Sequence, residues 1–148
     1  MSSKTDTVRL QYLHQKVLTA SREKLLLLTF EIAIDACCKA EEMIRAKDLQ
    51  GSNDALKTAQ KAIRELQFAL RPDKAEELAD NLNRLYDFMH QELVEANVKK
   101  DLKKIESVRR MLEDLAGAWR EAVEAAAEEI KNRPENRQTV GSSLDISY

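Results

Sequence analysis

Apolar residues recur along most of this chain at steps of three and four, the spacing that gathers side chains on one face of an α-helix. The first stripe follows Leu26, Phe30, Ala33, Cys37, Ala40 and Ile44 and predicts a helix over about 22–49. A second stripe, Leu25, Leu28 and Ile32 toward Ala36, runs beside it. The four consecutive leucines Leu25 to Leu28 sweep roughly 300° of a helix circumference, so they cannot all face one core. Either this helix is enclosed on most sides, or one apolar face is held for another molecule. Ser21 reads as its N-cap, with Glu23 in the first turn where the helix dipole favours an anion.

Gly51 and Ser52 read as a stop and a new cap, so a second helix is expected over about 53–70, with Leu56, Ile63, Leu66 and Leu70 as its stripe. Ala55, Ala62 and Ala69 recur every seven residues beside that stripe, which lets a neighbouring helix approach closely. Pro72 breaks the chain and suits the first turn of a third helix over about 73–97. That helix carries Leu78, Leu82, Leu85, Met89, Leu93 and Ala96, with Tyr86 alongside and Asn97 as a left-handed end. Asp101 caps a fourth helix running to about 132, with the stripe Ile105, Val108, Leu112, Leu115, Trp119, Ala122, Ala126 and Ile130. Pairs spaced i,i+4 (Glu41 with Arg45, Glu106 with Arg110, Glu129 with Arg133) lie on the wet faces. Leu26, Ile63, Leu112 and Trp119 are assigned to the core.

Four helices joined by short connections predict an all-α, antiparallel four-helix bundle over 19–133. Residues 1–18 form an N-terminal extension with scattered apolar residues, and 134–148 lack helical period and read as a disordered tail.

Composition agrees with that reading. Of 148 residues, 43% are hydrophobic and 34% charged, and three glycines and two prolines leave little for turns. A net charge of −2 gives no general attraction to nucleic acid. The run Lys99, Lys100, Lys103 and Lys104 is offset by Asp101 and Glu106 and reads as a solvated helix end. The longest apolar run is four residues and the first 24 lack a signal-peptide core, so no membrane insertion is expected and the protein is placed in the cytosol. Adjacent Cys37 and Cys38 do not make a disulfide framework, and they read as a buried thiol beside a less buried one.

Candidate chemistry is sparse. Asp87 and His90 at i,i+3 resemble half of a carboxylate-bridged di-iron signature, which needs a second such pair and two more inward glutamates. No glycine-rich phosphate loop or nucleophile elbow is present. The expectation is therefore no enzyme, no cofactor and no metal, with the surplus apolar surface serving a protein partner.

Several stretches carry a family resemblance: Tyr12 followed by "VLTASREKLLLLTFEIAI", then "ALKTAQKAIRELQFAL", "ELADNLNRLYDFMHQELVEANVKKDLKKIESV" and "DLAGAWREAV". Their order and gaps resemble the flagellar export chaperone FliS family over about 12–125. Arg22 stands where that family usually has proline, and Ile32 where it has glycine. The resemblance implies a cytosolic chaperone that binds the disordered C-terminal segment of flagellin, prevents premature polymerisation and aids delivery to the flagellar type III export gate. It also implies an N-terminal segment that covers the client groove until displaced. The partner-binding residues it points to are Tyr12, Val17, Leu28, Ile32, Ala55, Ala62, Tyr86, Met89, Val98, Leu102 and Ile105. The alternative is a bundle adaptor for a different folded partner, and a homodimer stays open.

Overall fold

The computed structural model describes residues 7–8 and 21–132. The expected tail, and all of the expected N-terminal extension but Thr7 and Val8, lie outside these residues, as do Pro134 and Arg133. Among the described residues there are four long helices and no strand: α1 Arg22–Arg45, α2 Leu49–Phe68, α3 Glu76–Lys99 and α4 Leu102–Lys131. The chain divides into two compact units, Met1–Ala116 and Gly117–Tyr148. The first holds α1, α2, α3 and the first half of α4.

Within it, short connections force sequence neighbours to run antiparallel, the arrangement of an up-and-down bundle. α2 packs against both α1 and α3. The side chains of Asn97 and Asn53 meet at 2.7 Å, which sets the end of α3 beside the start of α2. Arg109 reaches Glu41 at 2.7 Å, which sets the start of α4 beside the end of α1.

The predicted stripes supply most of the interior. Phe30, Ala33, Cys37 and Ala40 of α1, Leu56, Ile63 and Leu66 of α2, and Ile105, Val108 and Leu112 of α4 are buried. Burying each leucine or isoleucine stabilises the fold by about 1.5–3 kcal/mol. Ala55, Ala59 and Ala62 are buried on α2, and Ala33, Ala36 and Ala40 on α1, so both helices present small side chains where they pack. The leucine run resolves unevenly: Leu28 is buried, whereas Leu25, Leu26 and Leu27 are half-buried. Leu26 therefore does not hold the core position expected of it.

Three boundaries differ from the sequence expectation. α1 ends at Arg45 and α2 begins at Leu49, so Gly51 and Ser52 lie inside the first turn of α2. The true cap is Asp48, whose carboxylate accepts from the Gly51 N–H at 2.9 Å. Ser52 is fully buried, its hydroxyl donating to the Leu49 carbonyl at 2.8 Å. The turn closes because Lys47 takes a left-handed φ of 61°, while Lys47 N–H donates to Ile44 and Asp48 N–H to Met43. That is the double bond pattern with which glycine usually ends a helix, here built on lysine.

The second difference is the left-handed residue that ends α3, which is Lys100 (φ 54°) and not Asn97. The third is the start of that helix, at Glu76: Pro72 lies in the connection before it, and Ala75 offers no side-chain cap. Ser21 and Asp101 cap α1 and α4 as expected.

Candidate partner surface

The candidate binding residues separate by burial. Leu28, Ala55, Ala62, Tyr86, Met89 and Ile105 are buried and contribute to the packed interior in this conformation. Ile32 and Leu102 are half-buried and Val98 is 80% exposed, so these three offer surface to a partner. Tyr12 and Val17 lie outside the described residues. Tyr86 is only 4% exposed. Burial alone pushes its phenol up to about 12. It takes the interior place that Leu82 and Leu85, both half-buried, were expected to share.

Several exposed apolar side chains fall outside the predicted set: Leu49, Phe68, Leu78 and Phe88. Leu49 was passed over in the sequence because it fell at the last residue of the expected first helix, outside its apolar stripes. Locating the cap at Asp48 brings it onto the first turn of α2, where it borders a shallow depression with Gln50, Asn53, Asn97, Val98 and Lys100. The floor is tied by the Asn53–Asn97 bond, and Lys100 Nζ donates to Asn97 Oδ1 at 2.7 Å.

Around this surface the bundle is pinned by two polar ties. Glu41, buried between α1 and α4, receives Arg109 through Nε at 2.7 Å and Nη2 at 3.4 Å, and Arg109 also meets Glu113 at 3.1 Å. The expected Glu41–Arg45 pair gives way to this interhelical one, because a buried carboxylate needs a cation that can reach it inside the bundle. Hydrogen bonding to Glu41 holds the Arg109 guanidinium well above its ordinary value. Nearby, burial first and the Glu41 charge second push the Cys37 thiol up to about 12, which keeps it protonated and unreactive.

The second tie gathers Asp87 and His90, the pair that resembled half a di-iron motif. Arg64 Nη1 donates to Asp87 Oδ1 at 2.8 Å, Arg64 Nη2 lies 3.2 Å from His90 Nδ1, and Gln67 donates to Asp87 at 2.8 Å. The two residues thus join α2 to α3 through a cation. Among the described residues no three His, Cys, Asp or Glu side chains are grouped to hold a metal ion. Lys104 is likewise used internally, bridging Glu92 and Glu95 at 3.2 Å. Among the described residues no helix is long and apolar enough to cross a membrane.

The arrangement is that of a helical scaffold with apolar surface and satisfied polar ties. Residues 5–126 match the family model described as flagellar protein FliS. The flagellar secretion chaperone FliS of Salmonella typhimurium is 33% identical over 106 residues, covering 71% of this chain and 78% of its own. That of Bacillus subtilis is 30% identical over 114 residues, covering 77% and 84%. A solved structure described as a flagellar chaperone from bacteria superposes with a TM-score of 0.66 at 26% identity, covering 82% of this chain and 98% of the other. With its helical bundle and the match running through all four helices, this chain belongs to the flagellar protein FliS family.

Proposed function

We propose that this protein is a cytosolic secretion chaperone for flagellin. It holds the disordered C-terminal segment of flagellin, keeps it from polymerising early and hands it to the flagellar type III export gate. The observation that carries this reading is the family match over residues 5–126, together with relatives that are themselves named flagellar secretion chaperones. The protein works by binding, without catalysis or cofactor.

A disordered client must offset the cost of ordering with extended apolar contact. Ile32, Val98 and Leu102 supply that contact on the surface, and helix-in-groove docking is the mode suited to it. Leu28 and Tyr86, each only slightly exposed, add apolar contact if the client moves neighbouring side chains aside.

Calorimetric titration of the full chain with a peptide carrying the flagellin C-terminal segment tests the proposal. Saturable binding with a negative heat-capacity change and added helicity is expected. Val98→Asp should weaken it without lowering the melting temperature, and Ile32→Asp, at a half-buried position, should weaken it by more than its loss of stability accounts for. Absence of binding, also after deletion of residues 1–18, overturns the reading.

A further inference from the structure

The seam between α2 and α3 holds a titratable group whose bonding works in only one charge state. Arg64 of α2 spans it: Nη1 donates to Asp87 Oδ1 at 2.8 Å and to Gln67 Oε1 at 2.6 Å, and Nη2 lies 3.2 Å from His90 Nδ1. Gln67 of the same helix donates to Asp87 at 2.8 Å and to Asn83 at 2.7 Å. A guanidinium carries five N–H donors and no acceptor, and it does not lose its proton in a protein. His90 Nδ1 must therefore accept, which requires a neutral ring with its hydrogen on Nε2.

A proton taken up from solvent goes to Nδ1, the ring nitrogen that keeps a lone pair. Two N–H groups and two positive charges would then face each other across 3.2 Å, and the contact is lost. Asp87 stands three residues before His90 on α3, where side chains spaced i,i+3 meet. Its carboxylate favours the charged imidazole, against burial and Arg64. Lys57 and Lys61, exposed on the preceding turns of α2, carry the same sign as Arg64, while Glu92 and Glu95, further along α3, are held by Lys104 of α4. Asp87 thus has two alternative cations, Arg64 across the seam or a protonated His90 on its own helix.

We infer that Asp87 and His90 form a proton-operated latch. With the imidazole neutral, both residues hold Arg64 and tie α3 to α2. With it protonated, the imidazole repels Arg64 and competes with it for Asp87, which loosens the seam beside Tyr86. Tyr86 and His90 lie one turn apart on the same face of α3, and Tyr86 is buried there. The other end of the seam is fastened by Asn53 and Asn97, which do not titrate, so the loosening is confined to the part that carries Arg64. The latched state binds the proton less readily, so acid favours the open one as pH falls below the ordinary histidine value of 6.5. Arg64 and Asp87 are exposed and His90 is half-buried, so the effect has the size of a surface ion pair and changes local opening without unfolding the bundle.

Amide hydrogen exchange of the full chain tests the latch, read by mass spectrometry at about pH 7.5 and about pH 5.5, on either side of the histidine range, and corrected for the intrinsic pH dependence of exchange. Acid should raise exchange in the stretches 60–70 and 80–91 by about two- to fivefold, the range of one exposed ion pair, and leave 30–40 of α1 unchanged. His90→Gln, whose amide oxygen still accepts from Arg64 but takes no proton, should abolish that rise. His14→Gln, which replaces the other histidine of the chain, should keep it. Imidazole nitrogen NMR near neutral pH should show His90 with its hydrogen on Nε2. An Nδ1–H tautomer overturns the proposal, as do absence of the rise, its persistence in His90→Gln, its loss in His14→Gln, or a rise spread evenly over all four helices. No partner enters the measurement, so its failure leaves the chaperone reading standing.

Discussion

The two halves of α4 carry one hydrophobic period and meet opposite fates. In the first half, Ile105, Val108 and Leu112 are fully buried. In the second, the same steps of three and four reach Ala122, Ala126 and Ile130, all exposed, Ile130 at 67%. Trp119, expected in the core, is half-buried. Periodicity states which side chains can be buried together, but burial needs an opposing element. Alanine and glutamate, strong helix formers, keep the second half helical.

The largest contrast is expected from truncating the stripe itself. Leu112→Ala should cost about 2–5 kcal/mol, because a fully buried leucine leaves a cavity, whereas Ile130→Ala should change stability by less than about 0.5 kcal/mol. Chemical denaturation of both variants measures the difference. Equal losses would mean that the second half is buried in solution.

Next is the tie that anchors the first half of α4. Arg109→Ala should cost about 2–3 kcal/mol, toward the lower limit for breaking a buried pair, because Arg109 itself keeps 22% of its side-chain surface. The double variant Glu41→Leu with Arg109→Leu should recover most of that loss, since the penalty comes from the carboxylate left alone in the interior.

The glycines sharpen the comparison at a smaller scale. A Cβ on Gly51 would lie 2.5 Å from Asp48 Oδ2 and 2.9 Å from Met43 Sδ, displacing the carboxylate that caps α2. Gly51→Ala should therefore lower stability by about 1 kcal/mol, although alanine is the better helix former. At Gly117 nothing lies within 4 Å of the added methyl, and Gly117→Ala should raise stability by about 0.5–1 kcal/mol.

The smallest effect is pH-dependent. Burial first, and the Arg64 guanidinium second, hold the His90 imidazole below its ordinary value of 6.5, against an opposing pull from Asp87. The folded state then binds its proton less readily than the unfolded chain, so this contribution is intact above pH 6.5 and is lost as pH falls through the lowered folded value. His90→Gln should flatten the acid limb of the melting-temperature profile, and an unchanged profile would show that the imidazole does not couple to folding.

Much of the fold was legible because helix stripes, Ser21 and Asp101 are local signals. The left-handed ends were misplaced to Gly51 and Asn97 because glycine and asparagine are the residues that usually occupy such positions. Here lysines occupy them, held by hydrogen bonds to the preceding turn. The candidate surface was less legible: Tyr86 and Met89 share α3 with Val98, and sequence spacing alone does not tell a side chain facing α2 from one facing solvent.

By itself the sequence determined four helices, their order, their principal core residues and the family motif, since each depends on spacing and propensity along the chain. Only the tertiary structure decided that Glu41 pairs with Arg109 and not with Arg45, and that Arg64 joins Asp87 and His90. It alone placed Leu49 beside Val98 and showed Ala122, Ala126 and Ile130 to be exposed. Those outcomes depend on what stands opposite each residue, across distances that a one-dimensional pattern does not contain.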